Sequence, residues 1–152
     1  MLEVIHYLHI VSAVVYAGGT VSFGWIIAPS LFSLQPDARA EHFAILEKLA
    51  MPVIITSGIL VVLTGIARVW ISGAIGSFSD LFSGYGLMAA LALLVIVVWR
   101  VFQAPSHTRL AKAIADKDTE AFGREYRRLR LLDSIALLII LGLMVAMRMG
   151  LY

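Results

Sequence analysis

The chain has 152 residues, 61% of them hydrophobic and only 14% charged. Soluble domains carry about 25% charged residues, so lipid rather than water is the expected solvent. The absence of cysteine excludes disulfides, thiolate metal sites and thiol catalysis. A net charge of +2 without a basic cluster of nucleic-acid type leaves no nucleic-acid partner expected.

Charged residues are clustered and leave uncharged stretches at 4–36, 49–67, 81–99 and 134–147. A hydrocarbon core about 30 Å thick needs roughly 20 apolar residues at a rise of about 1.5 Å each. The pattern predicts a single transmembrane domain with spans at about 4–28, 52–71, 85–102 and 129–149. The fold class is all-α: an integral membrane four-helix bundle, antiparallel and up-down, with short interfacial helices.

The first span, from about Val4 to Ala28, holds His6 and His9 near its start and Gly18, Gly19 and Gly24 farther on. Pro29 and the stretch Ser30 to Pro36 are expected to end it. Asp37 to Ala50 has helical spacing of Phe43, Leu46 and Leu49 and reads as an interfacial segment feeding the second span, with Pro52 near that span's start. Ser72 to Gly86 is rich in glycine and serine and reads as a flexible outer loop. The third span is expected to end at Pro105. A polar stretch follows, broken near Asp116 to Thr119, where Asp118 fits a helix N-cap leading into the fourth span.

Lysine and arginine set the orientation. Arg39, Lys48, Arg100, Arg109, Lys112, Lys117, Arg124, Arg127, Arg128 and Arg130 lie in or beside the 1–2 and 3–4 connections, and only Arg68 and Arg148 lie opposite. The positive-inside bias places those connections in the cytoplasm and both termini, Tyr152 included, outside, in what reads as a bacterial cytoplasmic membrane. The arginines at 124, 127, 128 and 130 are expected to act through charge at the inner surface. Arg100 and Asp133, at similar depth, are expected to pair.

Histidines carry the candidate chemistry. His6 and His9 share one helix face at the outer end, and neutral imidazole ligates haem iron, copper or zinc. Neighbours on one face cannot both be axial ligands of one haem, so a second helix must contribute. Met88, Met144, Met147 and Met149 reach the same level, and thioether with imidazole suits low-spin haem or Cu(I). Gly18 and Gly19 allow a flat ligand or a neighbouring helix to approach closely. His42 and His107 are expected to be solvated. No GxGxxG, P-loop, HExxH or GxSxG pattern is present.

The run LHIVSAVVYAGG from Leu8 resembles the first helix of CopD/HemJ-type membrane proteins, the copper-resistance D proteins and the membrane protoporphyrinogen oxidases. The stretch EHFAILEKLAMPVIITSGILVVLTGIARVW from Glu41 is similar to the oxidases' interfacial helix entering the second span through a proline. The resemblance implies haem b, with His9 as the expected iron ligand. The lysine and histidine that the oxidases carry in the third span have no counterpart in GYGLMAALALLVIVVWR, so a relative retaining haem without the porphyrinogen reaction is expected. Three functions stand: a haem b-binding membrane redox protein of the oxidase type, a copper-handling protein, and a non-catalytic accessory subunit. The lipid bilayer is the expected partner, with a homo-oligomer or a membrane redox partner as further expectations.

Overall fold

A computed structural model describes residues 1–82 and 84–151. Ser83, in the loop expected outside, and Tyr152, also expected outside, lie beyond the described residues. The described residues are predominantly helical, without strands: α1 (Leu2–Ser22), a π-helical turn (Phe23–Ile27), α2 (Ala28–Leu31), α3 (Pro36–Ile71), a 3-10 turn (Phe78–Phe82), α4 (Gly84–Ala115) and α5 (Thr119–Met149). Counting α1 through α2 as one rod, four helices are long and apolar enough to cross a membrane. Most of their apolar length faces outward, with residues such as Val14, Leu63, Leu94 and Leu138 exposed, and only lipid or another apolar surface can cover it without cost. Tyr7, Trp70, Phe78 and Phe82 stand exposed at one end of the bundle, as aromatic side chains do where headgroups meet hydrocarbon.

The rods are longer than the hydropathy runs suggest. The first does not stop at Ala28. Pro29 lacks an amide hydrogen and its ring would crowd the carbonyl four residues earlier, that of Trp25. The chain absorbs this with the π turn, in which the Ala28 amide donates to Phe23 O, and then continues to Leu31. The 37–50 segment is no separate interfacial helix, because α3 runs unbroken from Pro36 through Pro52 to Ile71. Likewise α4 passes through Pro105 to Ala115. Each proline removes one ladder bond, but the turns before and after it keep theirs, and neighbouring helices support the rod on both sides.

Connections at the basic end are short and tightly tied. Arg39 is 5% exposed. Its Nε donates to Leu31 O at 3.0 Å, its Nη2 to Leu34 O at 3.2 Å and its Nη1 to Thr119 Oγ1 at 3.1 Å. One guanidinium thereby caps the end of the first rod and holds the start of α5. Its face lies 5.1 Å from the Phe122 ring centroid. The α4–α5 link has the paired amide bonds of a Schellman ending, Asp118 N to Ala113 O and Lys117 N to Ile114 O, with Lys117 left-handed at φ 57°. Asp118 caps α5 as expected, Oδ1 accepting from Ala121 N at 2.9 Å.

Packing divides the bundle into two antiparallel hairpins, α1 with α3 and α4 with α5. They join most closely at the basic end, where Ala28, Leu31, Phe43, Leu110, Phe122 and Leu129 form one buried cluster. The α4/α5 seam shows coiled-coil spacing: Trp99, Gln103, Ser106, Leu110 and Ala113 face Phe122, Tyr126, Leu129, Asp133 and Ala136, and all but Asp133 are buried. Alternating steps of four and three keep one stripe on the partner along two crossing rods. The segment before α4, expected to be a flexible loop, has internal structure too, the Asp80 carboxylate accepting from Gly76 N at 2.9 Å and Ser77 N at 2.8 Å.

Candidate functional site

His9 sits in the α1/α3 seam, half-buried, with its ring against Gly65. A Cβ on Gly65 would stand 3.2 Å from His9 Cε1. One heptad along α1 the pattern repeats: Tyr16 lies over Gly58, where a Cβ would come within 2.9 Å of the Tyr16 ring. Large rings on α1 thus occupy glycine notches on α3, so the two backbones approach closely.

The hydrogen bonds of His9 define its chemical state. Nδ1 lies 3.1 Å from Val61 O and 3.1 Å from Thr64 Oγ1. A carbonyl only accepts, so in the neutral ring the proton is on Nδ1 and the lone pair on Nε2. Thr64 in turn donates to Leu60 O. Among the described residues nothing hydrogen-bonds Nε2. Farther along the same two helices lies an apolar groove of about 450 Å³, lined by Val11, Ser12, Val15, Pro52, Val53 and Leu60 among others; His9 does not line it.

The other expected site residues are placed less closely. His6 is exposed on α1. Met144 is exposed and Met147 half-buried near the end of α5; among the described residues no hydrogen bond or ring contact ties either to His9. Gly19 meets the Ile54 side chain, where a Cβ would stand 3.0 Å away, whereas Gly18 faces open space. Gly19 therefore serves helix packing, and Gly18 does not. No group of three or more histidine, aspartate or glutamate side chains that could hold a metal ion occurs among the described residues. His42 is exposed, its Nδ1 donating back to Ala38 O at 2.7 Å, and His107 is half-buried rather than solvated.

A second polar site escaped the sequence reading. Asp133 does not pair with Arg100. Its Oδ1 accepts from Trp99 Nε1 at 2.9 Å and from Gln103 Nε2 at 2.8 Å, and Arg100 reaches only as far as Gln103 Oε1, at 2.7 Å. An amide placed between the two charges satisfies both, and it leaves the exposed Arg100 guanidinium free to reach solvent. Tyr16 joins the hairpins here, its ring centroid 5.7 Å from that of Trp99.

The arginine block also divides. Arg124, Arg127 and Arg128 are exposed, as a surface charge requires, whereas Arg130 lies 4.7 Å above the Trp25 ring and 5.4 Å from that of Tyr126. Arg130 is thus half-buried and stacked on an aromatic ring rather than surface charge alone. Tyr126 OH donates to Gly24 O at 2.6 Å. In a regular helix the Ala28 amide would bond Gly24 O. The π turn diverts that amide to Phe23 O, and the freed carbonyl takes the phenol.

Residues 3–148 match a family described as a predicted integral membrane protein family, DUF2269, and the chain belongs to it. No curated protein and no solved structure matches the chain.

Proposed function

We propose that this DUF2269 membrane protein binds haem b and serves in electron transfer or oxidation, distantly akin to the copper-resistance D and protoporphyrinogen oxidase proteins, with His9 as axial ligand. One observation carries the reading: His9 Nδ1 is anchored on Val61 O at 3.1 Å, and among the described residues the Nε2 lone pair has no hydrogen-bond partner. Ligating histidines recurrently hold their other ring nitrogen on a carbonyl, which sets the tautomer, aims the ring and strengthens the donor. The apolar groove of about 450 Å³ farther along α1 and α3 is open to the outside and not lined by His9; it offers apolar helix surface against which a porphyrin face would pack.

Haem b, when bound, supplies one-electron redox chemistry. The chain's own part is narrower. Val61 and Thr64 fix the ring and Gly65 leaves room for it, so that Nε2 is the atom that would hold the iron. One imidazole per chain leaves a second ligand to be supplied, for which Met144 and Met147 are the proposed thioethers. The positive-inside bias puts His9 near the outer face of a bacterial cytoplasmic membrane.

The test is the absorption spectrum and haem content of purified protein. Unsubstituted protein and His6→Ala should show a Soret band that shifts on reduction, and His9→Ala should lose the haem while keeping its helical circular dichroism. Full haem occupancy in His9→Ala would overturn the assignment. Colourless protein holding stoichiometric copper would instead favour copper handling through His6, His9 and the methionines, and colourless protein without metal would favour an accessory subunit.

A further inference from the structure

Asp133 lies within the apolar length of α5 and takes no part in the reading above. Its neighbours form an unusual set. Both protein donors, Trp99 Nε1 and Gln103 Nε2, converge on Oδ1, and among the described residues none donates to Oδ2. From α4, Arg100 is held off by Gln103 at 2.7 Å. From α5 itself, Arg130 lies one turn away and is stacked on Trp25 at 4.7 Å. From α1, the titratable group is Tyr16, its ring tilted against that of Trp99. The carboxyl therefore has hydrogen bonds but no direct cation, in surroundings where a lone charge is expensive.

Beside it lies a cavity of about 10 Å³, lined by Thr20, Gly24, Trp25, Arg130, Asp133 and Ser134 among others. That is about one water's worth of room, since a water needs roughly 10–15 Å³ and two to four polar partners. Asp133, Ser134 and Arg130 provide those partners, although Ser134 Oγ already accepts from Trp25 Nε1 at 3.3 Å. The three residues from Asp133 to Arg130 span about 4.5 Å of helix, which brings the cavity close to the exposed arginines of the basic end.

We infer that Asp133 is a proton-binding site inside the membrane, exchanging its proton with solvent at the basic end through a water held against Ser134 and Arg130. The step is simple: one proton joins the Oδ2 lone pair and turns a carboxylate into a carboxylic acid, while Oδ1 keeps accepting from Trp99 and Gln103. No other bond forms or breaks. The site stands apart from His9 and does not depend on haem.

Infrared spectroscopy of the full detergent-solubilised chain tests this. A carboxylic acid carbonyl band should persist at pH above about 5, where aspartates in water are ionised. It should shift in heavy water, vanish in Asp133→Asn and survive in Asp80→Asn and Glu125→Gln. Asn keeps an acceptor for Trp99, so its fold should hold. Should it fail to fold, 13C-labelled aspartate in the unsubstituted protein must move the same band. Indole fluorescence should titrate with the band and lose that titration in Trp99→Phe. Absence of the band, a band unmoved by labelled aspartate, or one retained in Asp133→Asn would each overturn the inference.

Discussion

Along the α1/α3 seam His9 and Tyr16 rest on bare glycine backbone at Gly65 and Gly58, whereas along the α4/α5 seam Trp99, Gln103 and Asp133 meet side chain to side chain. The first arrangement brings helices close and leaves a ring nitrogen unspent. The second spends its donors on one carboxylate oxygen, and below it large apolar groups from all four rods close the basic end. Lipid tails are as apolar as leucine, so neither seam gains by hiding hydrocarbon from water within the bilayer. Close packing holds one and hydrogen bonding the other, and only the basic end, where headgroups and water reach, has an ordinary buried core.

That contrast ranks the effects of substitution. The largest belongs to the basic-end core: Phe122→Ala removes a ring that is 1% exposed and packed on Phe32, Tyr126 and Arg39, at a cost of about 3–5 kcal/mol. Denaturant titration in detergent measures it, and a loss below that of the seam variants would reverse the ranking. Arg39→Met comes next. It deletes three charge-assisted hydrogen bonds and should cost about 2–3 kcal/mol, since such bonds are worth about 1.5–3 kcal/mol each but their loss is partly met by water.

Glycine substitutions test the α1/α3 seam itself. Gly58→Ala drives a methyl into Tyr16 and should destabilise by about 1–2 kcal/mol after the gain in helix propensity. Gly18→Ala, facing open space, should be neutral or stabilising by up to about 1 kcal/mol. Equal effects at the two positions would show that the glycines are interchangeable and the notch is not what joins these helices. Tyr126→Phe, which leaves the Gly24 carbonyl unpaired at the π turn, should cost about 1 kcal/mol.

The smallest effect is expected at the exposed turn around Asp80, at Gly76 and Ser77. Backbone amides of Gly76 and Ser77 hold the Asp80 carboxyl below its usual range. A lowered folded value means that this contribution is present above the unfolded value and disappears as pH falls through the folded one. Hydrogen exchange at the Gly76 and Ser77 amides should therefore quicken, relative to Asp80→Asn, only at acidic pH. A constant ratio across pH would show that the carboxylate does not hold the loop.

How much of this was legible in the chain differs by level. Four long apolar helices follow from composition alone, because the bilayer imposes a minimum uncharged length and offers no partner for open backbone. The Asp118 cap was equally readable, since a cap acts on amides two or three residues away. His9 stood out as a polar ring in an apolar run, and its candidacy needed no neighbour. The tertiary structure alone decided what that ring touches and which nitrogen it leaves free, because Val61 and Thr64 are more than 50 residues distant. Gln103 between Arg100 and Asp133, and the Gly24 carbonyl opened for Tyr126, were likewise set by packing. The four-three spacing of Trp99, Gln103, Ser106 and Leu110 was a signal present in the sequence, but spans apolar on every side hide their inner face. Where lipid and protein interior are equally apolar, hydropathy records that a helix is buried in the membrane and is silent on which side meets its neighbour, which only close contact between helices can settle.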